Sequence, residues 1–86
     1  MKADHAKVKR QLSIVRGQMD GILKMVDEDA YCIDISNQIL SSIAMLKNAN
    51  REIISAHLDH CLKHAANEED RDTKIKEIRD LLNRMD

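Results

Sequence analysis

The chain contains no proline, no phenylalanine and no tryptophan, only two glycines, and a single aromatic residue, Tyr31, among 86 residues. Without proline, no helical stretch is forced to end or kink from within. One aromatic residue makes no platform on which successive nucleobases stack, and neither a helix-turn-helix nor a zinc-finger signature is present. No apolar run approaches the roughly 20 residues needed to span a bilayer, and the charged N-terminus is not followed by a signal-type apolar block. The expectation is a cytoplasmic protein with no membrane partner. A net charge of −1 gives no general pull toward nucleic acid.

What is present is aliphatic and charged. Hydrophobic residues make up 43% and charged residues 34%, the signature of amphipathic helices packed as a bundle and not of a disordered chain. The length suits one domain, residues 1–86, with too small a core to fold well alone. Charge is unevenly spread. Residues 1–26 hold Lys2, Lys7, Lys9, Arg10, Arg16 and Lys24 against Asp4 and Asp20, six against two for a balance of +4, and the rest of the chain carries −5.

Periodicity predicts three helices. Val8, Leu12, Val15, Met19, Ile22 and Val26 alternate spacings of four and three, giving one apolar seam on a helix over about 4–27 capped by Asp4. Gly17 and Gly21 lower its helicity by roughly 1 kcal/mol each relative to alanine, which suits close approach of another helix or a DNA backbone. The acidic run Asp27, Glu28, Asp29 marks a turn, with Asp29 the expected cap of a second helix over about 30–66. Its stripe of Ile35, Ile39, Ile43, Leu46, Ile53, Ile54, Leu58 and Leu62 is too long for the first helix to cover. A second copy is needed, with Ala44 and Ala49 allowing close packing around a dyad near Leu46 and Lys47. Ile75, Ile78, Leu82 and Met85 predict a third helix over about 70–85, capped by Asp70 or Asp72, with its seam at the end of the bundle near Cys61. The fold class is all-α.

Cys32 and Cys61 lie on that unbroken second helix. Their 29-position gap amounts to roughly 44 Å at about 1.5 Å per residue, which rules out a disulfide or a shared ion within one chain. Two antiparallel copies bring Cys32 of one beside Cys61 of the other, with His57 one turn before Cys61 on the same face. Two thiolates and one imidazole suit three-coordinate Cu(I), whereas Zn(II) calls for a fourth ligand. His64 is the spare candidate, because 57, 61 and 64 share a face and His60 is expected to point away from them. The competing reading is two inert buried cysteines.

The run Arg16-Gly17-Gln18, the stretch Met25-Val26-Asp27-Glu28-Asp29-Ala30-Tyr31-Cys32-Ile33-Asp34-Ile35, then Gln38-Ile39 and His57-Leu58-Asp59-His60-Cys61, resembles the copper-sensing operon repressors. The likeness covers nearly the whole chain. It implies an antiparallel four-helix-bundle dimer that assembles as a dimer of dimers, binds operator DNA in the apo state and releases it on binding Cu(I). It also implies a metal site of Cys32 from one subunit with His57 and Cys61 from the other, and Tyr31 and Glu77 as residues coupling that site to DNA. A copper chaperone acting as metal donor is a further partner this resemblance admits.

Within that superfamily, His57 argues against the sulfane-sulfur sensors and Cys61 against the formaldehyde sensors. The alternatives are nickel or cobalt sensing, with His5 as the extra N-terminal ligand, and after it a cysteine-based sulfane-sulfur sensor. DNA binding itself rests on the resemblance. Lys9, Arg10, Arg16, Lys24, Lys47 and Arg51 are the candidate phosphate contacts. Where many relatives carry Asn-Arg-Leu, this chain has Arg10-Gln11-Leu12, so the position of a basic operator-binding residue is Gln11, with Arg10 as its neighbouring substitute. An enzyme with Cys61 as nucleophile is disfavoured, because a narrow helical bundle offers no oxyanion donors and little room for substrate.

Overall fold

The computed structural model describes residues 1–85, which form three helices: α1 His5–Asp27, α2 Cys32–His64 and α3 Glu68–Asn83. The molecule is long and thin, 57 × 26 × 12 Å, because α2 alone is 33 residues and sets the axis. No helix among the described residues is long and apolar enough to cross a membrane.

Helix α1 starts where expected. The Asp4 carboxylate accepts from the Lys7 backbone N–H at 3.2 Å, satisfying one of the free donors of the first turn. Its end differs from expectation. Asp29 does not cap α2. It sits just past α1 with φ 56, its N–H donating to Val26 O and the Ala30 N–H to Met25 O. This is a Schellman motif with aspartate in the left-handed position that glycine usually fills. The cap of α2 is Tyr31, which gives it no side-chain hydrogen bond. Helix α3 is also capped differently: Asn67 accepts from the Asp70 N–H at 2.8 Å, and Asp70 reaches back to accept from the Ala66 N–H at 3.1 Å. Asp70 is therefore the third residue of the helix, tied to Asn67 by its N–H and to the residue before the cap by its carboxylate, and not the cap itself, while Asp72 lies inside the helix.

Helix α1 folds back antiparallel on α2. The register is fixed at one end by the Lys7–Glu52 ion pair at 3.1 Å, a half-exposed contact worth about 0–1 kcal/mol. In the middle it is fixed by Gln18, whose carbonyl accepts from Ser42 Oγ at 2.8 Å and whose amide donates to Met45 Sδ at 3.1 Å. Ser42 is only 1% exposed, so its hydroxyl has no access to water. Gln18→Ala should lower the unfolding free energy by about 1–3 kcal/mol, the cost of an orphaned buried donor. Adding Ser42→Ala should restore part of it, read as urea midpoints at fixed protein concentration.

The expected α1 seam is only half buried within the chain. Val8, Val15 and Ile22 are enclosed, whereas Leu12, Met19 and Val26 are exposed, because α2 covers a strip one residue wide per turn. On α2 the buried positions are Ser42, Ala49 and Cys61, while Ile39, Ile43, Leu46 and Leu62 stay exposed. Ala49 is buried within the chain on the wall of a groove at the middle of α2, and Ala44 is exposed. Gly17 and Gly21 face open space, with nothing within 4 Å of an added Cβ, so no helix of the same chain uses their notch.

Helix α3 begins beside the Cys61 end of α2 and runs back along it, burying Ile78. Its last turn reaches further than expected: Leu81 and Met85 join Leu12, Ile43, Leu46 and Ile53 around a groove of about 590 Å³ at the middle of α2.

Candidate metal site and basic surface

Cys32 opens α2 and Cys61 lies one turn from its end. Both are free thiols, Cys32 exposed and Cys61 buried. One helix therefore holds them apart, and among the described residues no three His, Cys, Asp or Glu side chains of the chain converge on a point suited to an ion. Two of the expected ligands do meet. Cys61 Sγ and His57 Nε2 are 3.4 Å apart, the i,i+4 spacing placing them on one face. Donors about 2.3 Å (sulfur) and 2.0 Å (nitrogen) from a shared ion lie 3.4 Å apart at an angle of about 105°, so the pair fits one ion with little rearrangement. The donor set, one thiol sulfur and one imidazole nitrogen, suits a soft or borderline cation.

Tyr31, 68% exposed at the cap of α2, stands next to Cys32 and far from Cys61. Glu77 is exposed on α3, adjacent to the buried Ile78. His5 lies at the start of α1 with its ring Nε2 3.3 Å from the Met1 carbonyl oxygen, on a different helix from both cysteines.

The ring of His64, the spare ligand candidate, pairs with that of His60, centroids 4.5 Å apart and tilted by 37°. These residues are i and i+4, which leaves them about 40° apart around the helix. His60 titrates below the ordinary histidine range, first because partial burial disfavours the imidazolium and then because Lys2, His64 and His57 are close.

Of the basic residues of α1, Lys7 is held in the hairpin contact by Glu52, and the others lie outside it. Lys9, Arg10, Arg16 and Lys24 are exposed, as is Arg51, while Lys47 is half buried at the rim of the central groove. Lys24 is within 3.8 Å of Glu28, and Arg51 donates to the Asn48 side chain at 3.4 Å. Gln11 is turned the other way from Arg10: its Oε1 is buried without a hydrogen-bond partner. It belongs to the α1–α2 contact, and Arg10 carries the charge at the surface. Lys9, Ser13 and Arg16 line a shallow depression on that surface.

Residues 4–84 match the family described as metal-sensitive transcriptional repressor. The chain is 37% identical over 70 residues, 81% of its length, to the copper-sensing transcriptional repressor CsoR of Mycobacterium tuberculosis (strain ATCC 25618 / H37Rv). It is 32% identical over 79 residues to the copper-sensing transcriptional repressor CsoR of Bacillus subtilis (strain 168), covering 92% of this chain and 78% of that one. The matched stretch spans 59% of the mycobacterial relative. Among solved structures, the nickel-responsive transcriptional regulator InrS superimposes with a TM-score of 0.79 at 25% identity, covering 99% of this chain and 96% of that one.

Proposed function

Because the chain belongs to the metal-sensitive transcriptional repressor family, whose members are regulators and not enzymes, we propose that it is a Cu(I)-responsive repressor. In this reading it binds operator DNA without metal and releases it when Cu(I) binds. One observation carries it: Cys32 in the first turn of α2, and the His57–Cys61 pair near the last, lie on one uninterrupted helix. Antiparallel pairing of two such helices completes a Cys, His, Cys set twice, each from both subunits. The apolar positions left open on α1 and α2, and the groove at the middle of α2, give that second copy its contact surface.

Cu(I) would supply a soft centre for the two thiolates and the imidazole. The chain's own residues do the rest. Cys61 and His57 are preset on one face, and Cys32 would come from the other subunit, so an ion held by all three would tie the two subunits to each other at each end of the dimer. His57 would hold the ion through one nitrogen and offer the other N–H to a carboxylate, for which we assign Glu77 of α3. Tyr31 flanks Cys32 at the opposite edge. His64 is not in this set, since it is engaged with His60, and His5 is left to the nickel reading. The cytoplasm, where operator DNA and a copper-donating chaperone are both available, is the compartment this function requires.

The DNA surface we assign is the exposed basic face of α1, Lys9, Arg10, Arg16 and Lys24, extended by Lys47 and Arg51 and multiplied in a dimer of dimers. Apo protein should retain operator DNA at low salt and lose it on Cu(I) addition. Arg16→Ala should weaken binding across sequences and lower the salt slope by roughly one for each phosphate left unneutralised, with copper stoichiometry unchanged. Likeness to the nickel-responsive InrS over 99% of the chain supports a second reading, Ni(II) or Co(II) as effector. Operator release measured by fluorescence anisotropy at matched occupancy separates the two: the copper reading requires Cu(I) to be stronger and fails if Ni(II) is.

A further inference from the structure

We propose that His60 and His64 form a second metal site, for a borderline divalent cation such as Zn(II), separate from the Cys32, His57 and Cys61 set. It does not depend on the copper reading. The two rings are already gathered, with centroids 4.5 Å apart. A metal–nitrogen bond of about 2.0–2.1 Å places an imidazole centroid roughly 3.2 Å from the ion, so two rings bonded at about 90–110° stand roughly 4.5–5.2 Å apart. The observed separation lies at the near edge of that range. The spacing is the one that lets a single helix present two histidines to zinc in the H-E-x-x-H arrangement.

The location adds a second attraction. His64 is the last residue of α2, and its cap, Ala65, is extended. The closing carbonyls of a helix have no intrahelical partner, and its dipole is negative at this end, so a cation is favoured there. Two imidazoles without a thiolate suit Zn(II) and similar ions and disfavour Cu(I). The remaining coordination positions are left to water. Because Cys61 adjoins His60, an ion held here clamps the turn that carries the buried thiol.

Anaerobic titration with Zn(II) against a chromophoric chelator tests this in the full chain carrying Cys32→Ala and Cys61→Ala, which removes the thiolates. One Zn(II) per chain should still bind. Adding His60→Gln or His64→Gln should weaken it by at least about tenfold, since even loss of a group that only orients a ligand weakens metal binding by about 10–100-fold. In the same thiol-free chain, Zn(II) should shift the ring-proton resonances of His60 and His64 together, a readout that needs no histidine variant. The proposal is overturned if the thiol-free chain binds no Zn(II), if His60→Gln leaves the affinity unchanged, or if only His5 or His57 responds. With the thiols present, His60→Gln/His64→Gln should take up Cu(I) as the unaltered protein does. Failure of the unaltered protein to bind Cu(I) would count against the copper reading alone.

Discussion

A one-to-one mixture of Cys32→Ala and Cys61→Ala chains, fully exchanged, should recover tight Cu(I) binding that neither variant has alone. Each homodimer lacks one thiolate in both of its sites. In a mixed dimer the losses segregate: one site loses both thiolates, and the other keeps both together with its histidine. Random exchange makes half the dimers mixed, so the mixture should show about one tight site per four chains in a chelator competition. The expectation follows from α2 being continuous between Cys32 and His64, which leaves no way for a chain to fold its own thiols together. A mixture that binds no better than its components removes the shared site. A chain that used only His57 and Cys61 would show no dependence on mixing.

His57→Ala should retain part of the Cu(I) affinity, through the two thiolates, and lose most of the copper-driven release of DNA. The coupling is a free energy shared by two ligands, so operator DNA must lower Cu(I) affinity by the factor by which Cu(I) lowers operator affinity. For a typical allosteric system that is roughly 1–3 kcal/mol, or about 5–150-fold. Both halves of the cycle can be measured, by anisotropy with and without metal and by chelator competition with and without operator. In His57→Ala the two factors should shrink together toward one. Glu77→Ala should reduce them with a milder loss of Cu(I) affinity, and an unchanged response in that variant excludes Glu77 from the coupling.

The helices and their order are legible because apolar residues recur at threes and fours and nothing in the chain interrupts them. Their ends are less so, for a specific reason. Asp27, Glu28 and Asp29 are all competent caps, and the choice is made by which residue turns left-handed. Once Asp29 closes α1, Tyr31 is left to start α2. Asn67 outranks Asp70 because its side chain accepts from the Asp70 N–H, while the Asp70 carboxylate is drawn back to the Ala66 N–H.

The candidate site is legible in part. The i,i+4 rule anticipates the approach of His57 to Cys61, and the same rule applied to 60 and 64 finds the second ring pair. Helical-wheel position alone groups His64 with His57 and Cys61 and does not anticipate its ring contact with His60, since it ranks directions and ignores which rings are within reach. The Gln18–Ser42 contact has a faint signal, glutamines at 11 and 18 seven apart beside the seam, but nothing in the sequence says that one is satisfied and the other is not. Periodicity marks each apolar stripe as core across its whole width, whereas the single chain encloses only the edge nearest its own partner helix.

That thin enclosure has a thermodynamic consequence. Among the described residues only seven hydrophobic ones, from Ala3 to Ile78, are buried within one chain, too few to offset the entropy of ordering three helices. The free energy that holds the hairpin in shape must come largely from association, and association is governed by mass action. Dilution then acts as a denaturant and concentration as a stabilising ligand. The amount of chain present becomes a variable of its own fold, so that a falling supply loses folded, associated protein faster than in simple proportion.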